Sequence, residues 1–208
     1  RGCAARAEDP RGPTSGLGEP MTACAALYTD RGVILACDSL TSTLGNHRRV
    51  RKMWGEVASD GWRFVGCGDA DVLTALAASD TDSWPDPRRT MYDLRDHVRG
   101  EAAKIGKVRT ADQGTSFVHV DVIAAHPTHG LWLIQDGQAV GKWEPEDGLL
   151  AIGDPTAVRA AFVAMRSVPD VDGVLDALRI VGTVSAVVGG PYRAVEALDG
   201  HWGPEVVR

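Results

Sequence analysis

Long apolar runs are missing from this sequence, and no stretch approaches the ~18–20 residues that a membrane-spanning helix needs. A basic stripe is also missing, and the net charge of −6 argues against a general nucleic-acid binder. The longest basic cluster, Arg48-Arg49-Val50-Arg51-Lys52, is interpreted as a solvated loop that leads into a strand. We therefore expect a protein that binds neither membranes nor nucleic acids. The Arg-rich, Lys-poor composition indicates a GC-rich genome, bacterial or phage, which suits a cytoplasmic location.

Cysteine is scarce, and the four cysteines show no C-x-x-C spacing. Cys24, Cys37 and Cys67 lie in apolar, strand-like runs, which predicts buried free thiols in a reducing compartment. Histidines are scattered, and the segment 126–129 (His-Pro-Thr-His) is interpreted as a turn and not as a metal site. We expect no metal and no cofactor.

The first twenty residues differ from the rest of the chain. They are rich in Gly, Pro, Arg and Glu, and they lack the apolar region of a signal peptide. Three interpretations stay open: a pro-segment, a vector remnant, or translation upstream of a start at Met21. We expect residues 22–208 to form one domain and residues 1–21 to be a disordered tail or a segment absent from the working protein.

Thr22 directly follows Met21, which makes it a candidate mature N-terminus. An N-terminal Thr carries a nucleophile, its hydroxyl, and a base, its α-amine, on one residue. The amine has a reference pKa of about 7.7–8.0, so a useful fraction is unprotonated near neutral pH. Inside a longer chain Thr22 has no free amine, and the hypothesis is therefore conditional on removal of the preceding segment.

Strand patterns dominate the sequence after Thr22. The runs 23–28 and 33–37 predict a buried hairpin, with Gly32 at a turn position that needs a positive φ. Residues 39–49 are predicted to form a polar loop, and the runs 50–54 and 62–66 a second strand pair. Asp69 is predicted to cap a helix that ends at Ser79.

Helical and strand patterns alternate in blocks beyond this point. An i, i+3, i+4 stripe from Met91 to Ile105 predicts a helix, and Asp154 and Asp170 are predicted to cap two more. The remaining strand predictions are runs over 117–125 and 131–134, a pair formed by 139–143 and 149–152, and a closing hairpin formed by 184–188 and 192–198. Clustered strands and clustered helices predict an α+β fold of two antiparallel sheets with helices outside.

Four motifs in order resemble the N-terminal half of proteasome β-subunits. They are Thr22, the run 32–39 (GVILACDS), Arg51-Lys52-Met53, and the run 64–70 (FVGCGDA). The sequence is similar to the bacterial members, HslV and the ancestral-β type, and the stretch 43–46 (TLGN) resembles HslV in particular. The run 147–153 (DGLLAIG) also matches. This resemblance implies a four-layer αββα sandwich, the N-terminal nucleophile hydrolase fold, assembled into homo-oligomeric rings.

The resemblance also implies a site. Thr22 falls at the nucleophile, Asp38 at a carboxylate that ends the second strand, and Lys52 at a buried lysine. Gly66 falls at the glycine whose backbone N–H helps to bind the oxyanion. A lysine beside the Thr hydroxyl lowers the pKa of that hydroxyl, and a buried lysine needs a partner such as Asp38. Lys52 is one of four lysines among the 22 basic residues, which makes its presence at this position more informative.

The second half departs from the family pattern at three positions. Asp154 stands where the family usually has Ser, and its plain interpretation is a helix N-cap before Pro155. Ser185 and Val188 stand where the family often has Asp and Ser before a Gly-Gly pair. The family residues support the Thr amine and hydroxyl, so these substitutions weaken the expectation of activity, although Asp154 and Ser185 could supply some support.

The leading hypothesis is a threonine-type endopeptidase subunit that hydrolyses polypeptide substrates. One alternative is a catalytically silent assembly subunit, and another is an N-terminal nucleophile amidohydrolase that acts on a small amide. A nucleophilic Cys24 or Cys67 is a further alternative, although neither has an evident His partner. The resemblance leaves open whether an ATPase unfoldase docks on the ring.

Overall fold

An antiparallel hairpin opens the fold in this computed structural model, which describes residues 22–43, 46–55, 61–79, 91–110, 114, 116–166, 169–186 and 188–208. Strands β1 (Ala23–Tyr28) and β2 (Val33–Cys37) pair as the apolar runs predict. The positive φ predicted for Gly32 is wrong. A Cβ atom on Gly32 would lie 2.1 Å from the Ala197 carbonyl oxygen, so the close approach of another strand favours glycine there.

A second hairpin occupies a segment that the sequence predicted to be a loop. Strands β3 (Leu40–Thr43) and β4 (Asn46–Arg49) pair with Leu40 opposite Arg49. The two strands form a separate two-stranded sheet and contain polar residues almost throughout, so no apolar alternation marks them. Residues 44 and 45 of the stretch that resembles HslV lie outside the described residues.

The remaining elements follow in chain order, with a short 3₁₀ turn at Pro145–Asp147. They are β5 (Met53–Gly55), β6 (Arg63–Gly68), α1 (Ala70–Ala78), α2 (Met91–Lys104), β7 (Arg109–Thr110), β8 (Ser116–Phe117), β9 (Val120–His126), β10 (Gly130–Gln135), β11 (Ala139–Trp143), β12 (Leu150–Gly153), α3 (Pro155–Ala164), α4 (Val171–Val184), β13 (Arg193–Leu198), β14 (His201–Trp202) and β15 (Val206–Val207). The predicted caps are confirmed: Asp69, Asp154 and Asp170 each accept hydrogen bonds from backbone N–H groups in the first turn of a helix.

Two large antiparallel sheets organise these strands. The first has the order β12-β1-β2-β13-β14, with β15 also pairing β13, and the second has the order β11-β10-β9-β6-β5. The predicted pairing of 139–143 with 149–152 is wrong, because β11 pairs β10 while β12 pairs β1 in the other sheet. The predicted closing hairpin is also wrong. Helix α4 continues to Val184, which is 79% exposed, and β13 pairs β2 instead.

Three layers of apolar side chains hold the sandwich together. The inner faces of the two sheets meet in one cluster that includes Leu35 and Ile123. Helices α3 and α4 cover the outer face of the first sheet, and α1 and α2 cover that of the second. The order helix, sheet, sheet, helix confirms the predicted αββα sandwich. Within the described residues, no helix is both long and apolar enough to cross a membrane.

Candidate active site

The β1–β2 hairpin places Asp38 beside the start of β1. Cys24 pairs with Cys37 in this antiparallel hairpin. Ala23, which precedes Cys24, therefore lies opposite Asp38, which follows Cys37. The Asp38 N–H donates to the Ala23 carbonyl oxygen at 2.9 Å, and the Ala23 N–H donates to Asp38 Oδ1 at 3.1 Å. Thr22, one residue earlier, is therefore fixed next to the carboxylate.

Lys52 directly precedes β5 of the second sheet, and its side chain reaches the corner of the fold where Thr22 and Asp38 lie. Its Nζ lies 2.7 Å from Thr22 Oγ1 and 2.7 Å from Asp38 Oδ1. It also donates to the Leu40 carbonyl oxygen. An ammonium group has three N–H donors, so all three have acceptors here. The structure thus brings together three of the predicted site residues, which are 14 to 30 positions apart in the chain.

Burial makes this a fully desolvated ion pair. Lys52 and Asp38 have no exposed surface, and Thr22 is 1% exposed. Burial raises the pKa of the Asp38 carboxyl, while the Lys52 ammonium and the Ala23 and Gly189 N–H groups oppose that rise. The second carboxylate oxygen accepts the N–H groups of Leu40 at 3.2 Å and Gly189 at 3.1 Å. A cation held against Thr22 Oγ1 favours the ionised form of that hydroxyl.

Gly153 and Asp154, at the end of β12, contact the Thr22 backbone from the strand that pairs with β1 on the side opposite β2. The Asp154 N–H donates to the Thr22 carbonyl oxygen at 2.9 Å. Gly153 has a φ of +85°, and a Cβ atom on it would lie 1.9 Å from the same oxygen. Only glycine allows this approach without displacing Thr22.

Replacing Gly153 by Ala is expected to cost about 2 kcal/mol more stability than replacing Gly148 by Ala, because only the first collides with backbone. Both glycines have positive φ, +85° and +71°, so each substitution strains the backbone. No described residue lies within 4 Å of a Cβ atom on Gly148, which makes it the matched control. Denaturant unfolding measures both losses, and equal losses would contradict the role given to Gly153.

Gly66 lies in β6 near Lys52, but its N–H is engaged. It donates to the Lys52 carbonyl oxygen at 3.1 Å, directly beyond the paired residues Met53 and Val65 of β5 and β6. A donor used in this way does not face a carbonyl bound at Thr22. The assignment of Gly66 as the oxyanion donor therefore stays a prediction, and it requires this hydrogen bond to open.

The three positions that depart from the family pattern have identifiable places. The Asp154 carboxylate accepts the Ala157 N–H at 3.0 Å, so it serves as the N-cap of α3. Ser185 is the C-cap of α4, and its buried hydroxyl has no hydrogen-bond partner among the described residues. Val188 is 3% exposed and packs in the cluster under α3 and α4. Neither the Asp154 nor the Ser185 side chain forms a hydrogen bond with Thr22 in the described part of the chain, so support of Thr22 by either side chain stays a prediction.

The three described cysteines are free and buried, as predicted. Burial raises the pKa of the Cys24, Cys37 and Cys67 thiols well above the usual range. The Cys24 thiol also donates to the Gly66 carbonyl oxygen at 3.4 Å. Because the thiolate is the nucleophilic form, this environment argues against a nucleophilic cysteine.

We expect iodoacetamide at pH 8 to leave these thiols unmodified in a native protein that begins at Thr22 and thus lacks Cys3. All three should react once guanidinium unfolds the chain, because unfolding removes the burial that raises the pKa. Intact mass spectrometry counts the modified thiols. Rapid alkylation of one thiol in the native state would revive the cysteine alternative.

Sequence reasoning missed three backbone groups that complete the site. The Leu40 carbonyl takes the third proton of Lys52, the Gly189 N–H binds Asp38, and Gly153 approaches Thr22. Glycine was the available signal in two cases, because Gly153 ends a matching run and Gly189 begins a Gly-Gly pair. A carbonyl oxygen has no sequence signal, since every residue has one.

The fold of this chain matches that of proteasome-like N-terminal nucleophile hydrolases of known structure. No protein-family model matches the sequence, and no curated protein matches it. Solved structures do match. Anbu (ancestral beta-subunit) from Yersinia bercovieri superposes with a TM-score of 0.68 at 13% identity, over 89% of this chain and 86% of that chain.

Two further solved structures agree. Anbu from Hyphomicrobium sp. strain MC1 has a TM-score of 0.65 at 15% identity, over 89% of this chain and 87% of that chain. BPH from Thiobacillus denitrificans, a bacterial proteasome homologue, has a TM-score of 0.66 at 16% identity, over 86% of this chain and all of that chain. At such identities the likeness establishes the shared fold.

Proposed function

We propose that this chain is a threonine-type endopeptidase subunit of a proteasome-like assembly, active once residues 1–21 are removed. The observation that carries the proposal is the position of Lys52 Nζ, 2.7 Å from both Thr22 Oγ1 and Asp38 Oδ1 in a desolvated corner. A lysine with no exposed surface is rare without a specific role or partner. Here it serves a hydroxyl that removal of the preceding segment would place beside a free amine.

The proposed reaction begins when the Thr22 hydroxyl attacks the carbonyl carbon of a peptide bond. The hydroxyl proton passes to the free α-amine of Thr22, directly or through a water, while the Lys52 cation stabilises the charge that develops on the oxygen. Asp38 orients Lys52 through their ion pair. The ammonium formed at Thr22 protonates the leaving amine as the C–N bond breaks. Water then hydrolyses the ester and regenerates Thr22.

The oxyanion of the tetrahedral intermediate needs a donor in this scheme. We assign this role to the Gly66 N–H, which must first release the Lys52 carbonyl oxygen. Such a donor typically contributes about 10²–10³ in rate.

A catalytically silent assembly subunit is the second candidate. Val188 offers no polar group where the family often has Ser, and the buried Ser185 hydroxyl has no hydrogen-bond partner in the described part of the chain. Both features leave a Thr22 amine with less support than the family pattern provides. Either function fits a homo-oligomer, which we propose because Anbu from Pseudomonas aeruginosa is described as a helical assembly. An ATPase partner and a cytoplasmic location stay predictions.

Two proteins that differ by one residue test the proposal. One begins at Thr22, and the control has a single Gly before Thr22, which converts the amine into an amide. We expect a peptide β-lactone to label only the first, with the adduct located on Thr22 by mass spectrometry. Because BPH has been solved in complex with epoxomicin, that compound is a second probe. Equal labelling of both proteins would contradict the mechanism, and labelling of neither would favour the silent subunit.

A further inference from the structure

Two arginines point into the space between the sheets at one edge of the sandwich. Arg193 in β13 shares a strand face with Val195, and Arg63 in β6 shares a face with Val65. Val195 and Val65 both belong to the cluster between the two sheets. Because side chains alternate along a strand, both guanidinium groups are directed toward the inter-sheet side.

Described side chains at this edge are partly exposed, as Arg193 shows with 32% of its side chain accessible. Strand β5 is the last strand of the second sheet, and the short strands β14 and β15 end the first sheet beyond β13. The Trp202 side chain joins the two edges by donating to the Gly61 carbonyl oxygen at 2.6 Å. Arg51, just before β5, is exposed and donates through Nε to the Met53 carbonyl oxygen at 2.9 Å. A third cation therefore lies on the same edge.

Among the residues that the structure describes, the negative charge at this edge does not match the positive charge. Glu205 forms an ion pair with Arg193. Arg63 forms no ion pair with any described residue, and its Nε is buried without a hydrogen-bond partner. Arg51 likewise has no carboxylate partner among the described residues. Most other described cations differ in this respect, as Lys107 shows with Asp69 at 3.1 Å and Asp71 at 3.0 Å.

An unpaired, half-buried guanidinium beside another cation is unfavourable unless an anion joins it. Burial lowers the pKa of Arg63, Glu205 opposes this effect, and the Arg51 cation adds to it. A guanidinium offers two parallel N–H donors that match the two oxygens of a carboxylate. The missing group is therefore a planar anion with access from solvent.

We propose that Arg51, Arg63 and Arg193 form a binding site for the acidic side chains of a polypeptide at this edge. Arg63 is the central group, because of these three arginines it is the one whose buried donor has no acceptor among the described residues. Arg193 is paired with Glu205 and adds N–H donors that this pair does not use. The site does not use Thr22, so the test of this site is independent of the test of the proposed peptidase activity.

Fluorescence anisotropy of a dye-labelled acetyl-tetraglutamate amide with the full chain tests this site at low salt. We expect Arg63→Gln to weaken binding about tenfold, the size of one lost charge-assisted hydrogen bond. Arg159→Gln is the matched control, because Arg159 is exposed on α3 and has no carboxylate partner among the described residues. Arg63→Lys should fall between, since it keeps the charge and loses the planar fork.

Several outcomes would overturn the site. These are no binding of the tetraglutamate probe, equal binding of a tetraglutamine probe, or equal losses in the Arg63→Gln and Arg159→Gln proteins. Displacement of the probe by low-millimolar inorganic phosphate would show a general anion site and also overturn the assignment. If Arg63→Gln does not fold, the exposed Arg51→Gln takes its place, and unchanged affinity in that variant would overturn the proposal.

Discussion

Replacing Thr22 by Ala should abolish hydrolysis of fluorogenic peptide amides by a protein that begins at residue 22. The substitution removes the hydroxyl that Lys52 contacts at the candidate site. Loss of a nucleophile that acts together with its partners typically costs about 10⁴-fold or more in turnover. Thr22→Ser is the matched variant. It keeps the hydroxyl and the amine, so it should retain measurable turnover and label with the β-lactone.

Folding must be separated from chemistry in this comparison. In the Thr22→Ala protein one N–H of Lys52 loses its acceptor inside a desolvated corner, which should cost about 1–3 kcal/mol of stability. Circular dichroism and a thermal melt determine whether the variant is still folded at the assay temperature. Retained hydrolysis in a folded Thr22→Ala protein would contradict the peptidase proposal. Loss of hydrolysis in both variants would point to a site that tolerates no change at Thr22.

The part of this site that the sequence predicted depends on strand register. The apolar runs define β1 and β2, and once their pairing is fixed Asp38 must lie beside Ala23. Lys52 comes from a different sheet, and no local pattern predicts that it meets Thr22. The family resemblance supplied that contact, because it transfers long-range geometry that periodicity does not contain.

The errors in the predicted fold share a physical cause. Local patterns distinguish strand from helix, but they do not select the partner of a strand. The runs that became β11 and β12 are adjacent in sequence, yet they belong to different sheets. Val184 is β-branched, which favours a strand, but it is the exposed last residue of α4. In both cases tertiary packing overrides local propensity.

Gly66 illustrates the same limit at the level of a single N–H. The resemblance predicts the residue and its role, but not the hydrogen bond that the N–H makes in this chain. That bond, to the Lys52 carbonyl oxygen, lies one residue beyond the last pair of β5 and β6, Met53 with Val65. The resemblance assigns the Gly66 N–H to catalysis, whereas in the structure the same N–H bonds to the backbone at Lys52.

Replacing Lys52 by Met should eliminate activity and also destabilise the protein by about 3–5 kcal/mol, because it leaves a buried carboxylate without its cation. The Asp38 side chain has no exposed surface and would keep only its backbone N–H partners. Denaturant unfolding measures the loss. A loss below about 1 kcal/mol, the size of a surface pair, would contradict the burial of this ion pair.

The double variant Lys52→Met/Asp38→Asn separates the structural role from the catalytic role. Removing the charge should recover part of the stability, although the amide nitrogen of Asn cannot accept all the N–H groups that the carboxylate accepts. Activity should stay absent, because no cation remains beside Thr22 Oγ1. Recovery of both stability and turnover would show that Lys52 has no role in the chemistry.

The pH dependence of the two variants provides an independent check with a definite sign. Burial already raises the pKa of Asp38 above its ordinary value, and loss of Lys52 removes the largest opposing effect. Between the unfolded and the folded pKa the native state binds more protons, so stability falls as pH rises through this window. Lowering the pH from 7 toward the ordinary range of a carboxyl, about 4, should therefore restore stability to Lys52→Met. The double variant has no carboxyl at this position, so its stability should lack this increase; an equal increase in both proteins would assign the effect to other groups.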